Sequence, residues 1–241
     1  FYFLSHVHAW LDGRLNQPVQ TFFVHGFGWL AQVPGHEFGQ IVAARLVMVA
    51  FLMLTCHAIW RMGSRLADPQ AAKIAVLAFL CSGFVLAHGT SFRADPITTG
   101  LLMTALSILL TGRMHALQIL SVALLSALAL LVTVKSVLYL PAFLGVLVFR
   151  RKEETMPARM LIAGGLSLGI AAGLYLWHST GLTATDGTDT GADLREAAET
   201  TLLSGNLLPR WNEILLWVLL SLPALVLTAM GFARAWASRL I

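Results

Sequence analysis

The chain has 241 residues, 57% of them hydrophobic and only 12% charged, with a formal charge of +4 and a mean hydropathy of +0.76. A soluble domain carries about 25% charged residues, so the composition excludes a water-soluble globular protein and points to an all-α, polytopic transmembrane helix bundle. Non-alternating apolar runs of about twenty residues exclude a transmembrane barrel. A basic balance spread through short loops, with no aromatic-interleaved Lys/Arg arm, excludes nucleic acid as the expected partner.

In chain order, residues 1–37 interleave aromatics with His, Gly and Pro, and contain no run apolar enough to span. They are expected to form short amphipathic helices in the membrane interface, anchored by Trp10, Phe22, Phe23, Phe27 and Trp29. The chain opens on Phe1 without a signal peptide and reads as a piece of a longer protein. Six spans follow within 38–178, at 38–60, 72–91, 95–112, 116–134, 137–149 and 158–178. The fifth is short and carries Pro141, so a tilted or broken element is expected there. Residues 179–211 form a polar loop in which Asp193 is placed to cap a short helix, "DLREAAETTLL". Residues 212–233 are the seventh span, and a tail ends at 241. Cys56 and Cys81 fall inside apolar runs and read as small core residues.

Cations set the orientation. Arg61, Arg65, Lys73, Arg113, Arg150, Arg151, Lys152, Arg159, Arg234 and Arg239 fall on one side, and Arg14, Arg93, Lys135, Arg195 and Arg210 on the other. The ten-residue side is expected to be cytoplasmic, which places segments 1–37, 88–96, 135–140 and 179–211 outside.

The turn "HGTSFRADPITTG", residues 88–100, then raises a question of chemistry. Pro96 suits the first turn of a helix and Asp95 its N-cap. Arg93 has two readings: a side chain snorkelling to headgroups, or an anion site beside a helix N-terminus, suited to phosphate. Lys135, in "LLVTVKSVLYLP", carries the same pair of readings on the same outer face. If the bundle closes, Lys135 and Arg93 converge on one outer-leaflet cavity, with lipid phosphate or pyrophosphate as the fitting ligand. Arg45 lies about two turns inside the first span and is expected to face the bundle or a wet cavity, with Glu37, two turns earlier on roughly the same face, as its partner in a structural ion pair.

Other patterns carry less. His6 and His8 form an "HVH" pair with no third ligand at helical spacing, and His25, His36 and His88 lie on the same side. No metal site is assigned; a divalent cation assisting a pyrophosphate-like donor is compatible with the chain. Asp186, Asp189 and Asp193 miss the spacing of a calcium loop and read as solvated. "GLSLG" matches G-x-S-x-G around Ser167, but inside an apolar span, where small residues for close helix packing are the better account.

Taken in order, the aromatic first segment, "ARL" in the first span, "RMGSRLADPQAAKIAVLAFL", "SFRADPITTGLLMTALSILL" and "TVKSVLYLPAFLGVLVFRR" form a series. Over residues 1–150 this series resembles the amino-terminal half of membrane glycosyltransferases of the GT-C superfold. The bacterial relatives of protein O-mannosyltransferases and aminoarabinose transferases are the group it looks most like. Arg93, Asp95 and Pro96 match that group's outer R-x-D-p. Thr133 and Lys135 match a t-K-g turn, with Val134 inserted and Ser136 in place of Gly. The resemblance implies transfer of a sugar from a polyprenyl-phosphate donor at the periplasmic face of a bacterial inner membrane, with the acceptor unassigned. For such a donor, Arg93 and Lys135 are the expected phosphate ligands, acting electrostatically, with Asp95 and Arg45 as supporting residues. The resemblance also places the catalytic acidic pair before Phe1, and Asp12, which precedes Gly13 at a helix end, is not assigned that role. Two alternatives stand beside it: a lipid or solute transporter or flippase, and a non-catalytic membrane assembly subunit in contact with lipid.

Overall fold

A computed structural model describes residues 2–15, 21–150 and 152–180, together with Leu215, Leu219, Leu222 and Val226. Apart from those four residues the 212–233 span lies outside the described residues, as do most of the 179–211 loop with Asp186, Asp189, Asp193, Arg195 and Arg210, and Arg151, Arg234 and Arg239.

Among the described residues every regular element is helical. The α-helices are α1 (Tyr2–Leu11), α2 (Thr21–Phe27), α3 (His36–Leu66), α4 (Pro69–Leu80), α5 (Gly83–His88), α6 (Ala94–Thr111), α7 (Ala116–Val132), α8 (Leu140–Phe149) and α9 (Met156–Thr180), with 3-10 turns at Gly28–Gln32 and Val134–Tyr139. Among the described residues three helical stretches are long and apolar enough to cross a membrane: Glu37–Leu66, Ala94–Thr111 and Met156–Thr180. At 1.5 Å per residue, the 31 residues of α3 run about 46 Å, longer than a hydrocarbon core of about 30 Å. The 17 residues of α7 reach about 25 Å.

The span expected over 72–91 is not one helix. Asp68 caps α4 by accepting from the amides of Gln70 and Ala71 at 2.8 and 2.9 Å, and Pro69 fills the first position. The ladder then breaks: the Ser82 amide bonds to the Phe79 carbonyl, Ser82 is extended (φ −67°, ψ 138°), and a separate six-residue helix starts at the buried Gly83. Cys, Ser and Gly cost little in hydropathy, so the run looks continuous in composition although the backbone is not. Cys81 sits at this break and is exposed, not a core residue. The first span, by contrast, is longer than expected. It continues to Leu66 because Arg61 and Arg65 lie in its last turns, where long cations are tolerated at a helix C-terminus.

Helices pack in the order α4, α3, α6, α7, α9, with α8 against α6 and α9. Contact with α4 depends on Gly63: a Cβ there would lie 2.9 Å from the Ala72 Cα, so no side chain fits between the backbones. Several hydroxyls on these helices bond back to their own turns, as Thr55 does to the Phe51 carbonyl and Thr104 to that of Gly100. That suits a medium without water.

Two apolar clusters fill the bundle. One joins Phe23, Phe27 and Leu30 of the first segment to Met48, Ile97, Leu101 and Val132. The other, nearer the opposite end, gathers Leu106, Leu109, Met114, Val122 and Met156. Chain direction sorts the helix ends into two groups. The N-termini of α3 and α6, the C-termini of α7 and α9 and the 134–139 turn form the Arg93 end. The α3–α4, α6–α7 and α8–α9 connections form the Arg113 end. Contacts that tie each group together are the His8–Gln40 and His25–His178 bonds at the first, and Arg61–Thr111 and Arg159–Arg113 at the second.

Candidate functional site

At the Arg93 end, two helix junctions carry the cations. Arg93 itself occupies the N-cap position of α6, extended at φ −145° and ψ 162°, with no side-chain cap bond. Asp95 is therefore not the N-cap; it lies within the first turn, as the helix dipole favours for an acid. Its Oδ2 stands 3.3 Å from Arg93 Nε, with both side chains partly exposed. Local pairing with Arg93 displaces the capping geometry the sequence suggested. It occupies the Nε edge of the guanidinium.

Lys135 follows α7. Thr133 is extended, and its Oγ1 accepts from the Lys135 amide at 3.3 Å. Ser136 is buried, its hydroxyl 2.7 Å from both the Ala129 and Thr133 carbonyls. Burying Ser136 leaves Lys135 on the exposed side of the turn. Tyr139 then ties the turn to the second turn of α6 through a 3.0 Å bond between its hydroxyl and Thr99 Oγ1. The first segment closes over the same end. Phe92, next to Arg93, makes edge contacts with Phe23 and Phe27 at centroid distances of 5.3 and 5.0 Å. Arg93, Asp95 and Lys135 thus share one end of the α6–α7 hairpin. Among the described residues no ion pair includes Lys135.

Arg45 does not join them. The core face of α3 runs through Ala44, Met48, Thr55 and Ala58, all buried. Arg45 is one step round the helix, among the exposed Phe38, Val42, Leu46 and Met53. Glu37 is also exposed, and no ion pair links the two among the described residues. The expected inward-facing pair is therefore replaced by an Arg on the outer stripe of α3. Eight residues at 100° each leave the two side chains about 80° apart round the helix, and the buried stripe passes through neither.

A cluster that sequence reasoning did not assemble stands beside this site. His25 Nε2 and His178 Nδ1 are 2.9 Å apart, across 153 residues of chain. Trp10 packs on both rings at 5.0 and 5.1 Å, and Trp177 on His25 at 4.5 Å. Burial pushes the His25 pKa below its ordinary value. The available signal was positional: His178 ends an apolar span on the side already assigned to His25. Among the described residues no group of three or more metal-ligating side chains occurs.

Ser167 lies mid-helix in α9, buried, not on a strand-to-helix turn. The neighbouring glycines are not packing sites against the described helices: a Cβ at Gly165 or Gly169 would meet nothing within 4 Å. No protein-family model matches the chain, and no curated protein or solved structure shows significant similarity to it.

Proposed function

We propose that the chain belongs to an enzyme of glycosyl transfer, moving a sugar from a polyprenyl-phosphate donor to an acceptor at the outer face of a bacterial inner membrane. The observation that carries this reading is the shared placement of Arg93 and Lys135 at one end of the α6–α7 hairpin, beneath an aromatic segment. In the reaction, an acceptor oxygen attacks the anomeric carbon, the bond to the donor phosphate breaks, and the phosphate leaves with the electron pair. A base takes the acceptor proton, and it is not assigned to a residue of this chain. Arg93 offers its Nη groups to the leaving phosphate while Asp95 holds the Nε edge, and Lys135 adds a second positive charge; both act electrostatically. Arg45 has no part in this, given its position on the outer stripe of α3.

A second reading, a membrane subunit that uses these cations as headgroup anchors, draws on the exposure of Lys135 beside the exposed Val137 and Leu138. The experiment that separates the two is transfer from a radiolabelled polyprenyl-phosphate sugar in membranes containing the full-length protein, with Arg93→Ala and Lys135→Ala. Loss of about 10²-fold in turnover for each variant, at unchanged membrane levels, is expected. Unchanged turnover refutes the transferase role of these two residues.

A further inference from the structure

The Arg113 end carries a cavity of about 490 Å³, walled by the last residues of α6, by Arg65 of α3, and by the α8–α9 connection. Ligand pockets have volumes of about 300–1,000 Å³, so it is large enough to hold a small group. Its charged lining is Arg65, Arg113, Arg150, Lys152 and Glu153, four cations against one carboxylate.

These cations are not equivalent. Arg150 is committed to the protein: its side chain is 9% exposed, its Nε donates to Glu153 at 2.8 Å, and its Nη1 donates to the Leu109 carbonyl at the end of α6. This satisfies a helix C-terminus and neutralises Glu153, whose carboxyl the Arg150 bond holds below its ordinary pKa. Arg159 is also committed to the protein, donating to the Arg113 carbonyl at 2.7 Å. Arg65, Arg113 and Lys152 remain, all exposed, and no ion pair uses them among the described residues. Cations on a convex surface separate into solvent. Here three of them line one cavity in which Glu153, the one acid among the described lining residues, is already paired, and a bound anion relieves their mutual repulsion.

We propose that this cavity is a phosphate-binding site, with Arg65, Arg113 and Lys152 as the ligand-facing cations and Arg150 with Glu153 as its rigid floor. The ligand is a phosphate group, carried either by an anionic lipid headgroup or by a free phosphate ion. The site is at the opposite end of the bundle from Arg93 and Lys135, and it stands or falls separately from the transferase reading.

The test uses the protein in nanodiscs. In one arm, native mass spectrometry counts phosphatidylglycerol retained against a phosphatidylcholine background. In the other, inorganic phosphate is titrated into phosphatidylcholine nanodiscs and followed by ³¹P line broadening. Arg113→Gln and Lys152→Gln are expected to weaken saturable binding about tenfold in at least one arm. Lys73→Gln, which removes the same charge at the same end but outside the cavity lining, is expected to change it less than twofold. Retention of phosphatidylglycerol alone identifies a headgroup site, and phosphate broadening identifies a free-ion site; either upholds the proposal. No saturable binding in both arms overturns it, as does an equal loss with Lys73→Gln, which makes the effect one of diffuse surface charge. Lys152 lies in a connection outside the helices, so its variant tests the site even if Arg113→Gln impairs folding.

Discussion

Phe23 is the pin that holds the first segment on the bundle, and truncating it tests the arrangement around Arg93. Its ring is fully buried and stacks on Phe3 at 4.6 Å, with Phe27 and Phe92 at 5.5 and 5.3 Å. Replacing a buried Phe by Ala costs about 3–5 kcal/mol. Each lost aromatic pair accounts for about 0.5–1.5 kcal/mol beyond burial. At about 1.4 kcal/mol per decade, docking of residues 21–32 weakens by roughly two to four orders of magnitude. Hydrogen–deuterium exchange in detergent reads this directly. In Phe23→Ala the amides of α2 and the 28–32 turn lose protection by that factor, while those of the α3–α6 contact keep theirs. Phe23→Leu, which retains most of the volume, loses about a third as much. Uniform loss across α3 and α6, or no loss in α2, refutes the claim that Phe23 docks the first segment onto a separately stable bundle.

Two further outcomes follow from the helix contacts. Gly63→Ala places a Cβ 2.9 Å from the Ala72 backbone and lowers thermal stability by about 1–3 kcal/mol. In Gly145→Ala the new Cβ meets nothing within 4 Å, and stability rises by about 0.5–1 kcal/mol. A Gly63→Ala variant that melts at or above the parent temperature contradicts the close α3–α4 approach. The His25–His178 contact weakens on acidification. Burial lowers the folded-state pKa of His25 below 6.5, so the unfolded chain binds protons first. The contribution of neutral His25 is full above the unfolded value and is lost as pH falls from there through the lowered folded value. Fluorescence of Trp10 and Trp177 across that window follows the release of α2 from α9, and His25→Gln flattens the response. An equal pH response in that variant removes the pair as its cause.

The helical class and most helix positions were legible because long apolar runs and short cationic loops are one-dimensional signals. α6 falls within a residue of the run expected at 95–112, and α7 within two of 116–134. The break at Cys81–Ser82 was hidden, because hydropathy averages over a window and a single extended serine hardly moves it. Arg45 shows a different gap. Depth in a span is readable from position alone, but the face is set by which stripe of α3 meets α6. Ala44 and Met48 mark that stripe, and small or apolar residues on the other side resemble them. At the candidate site, the turn chemistry of Arg93, Asp95 and Pro96 was visible as a motif, whereas the exchange of an N-cap for an ion pair depended on side-chain geometry. The His25–His178 pair and the basic cavity join residues far apart in sequence, and no local pattern encodes such meetings.

The tight approach of Gly63 to Ala72 also orders events while the polypeptide is being made. The two positions are nine residues apart, so their contact closes a short loop at small entropic cost. It needs nothing beyond Leu80, whereas the other face of α3 must wait for α6, which begins at Ala94. The hairpin of α3 and α4 can thus close before α6 is made, and α6 arrives at a surface already assembled.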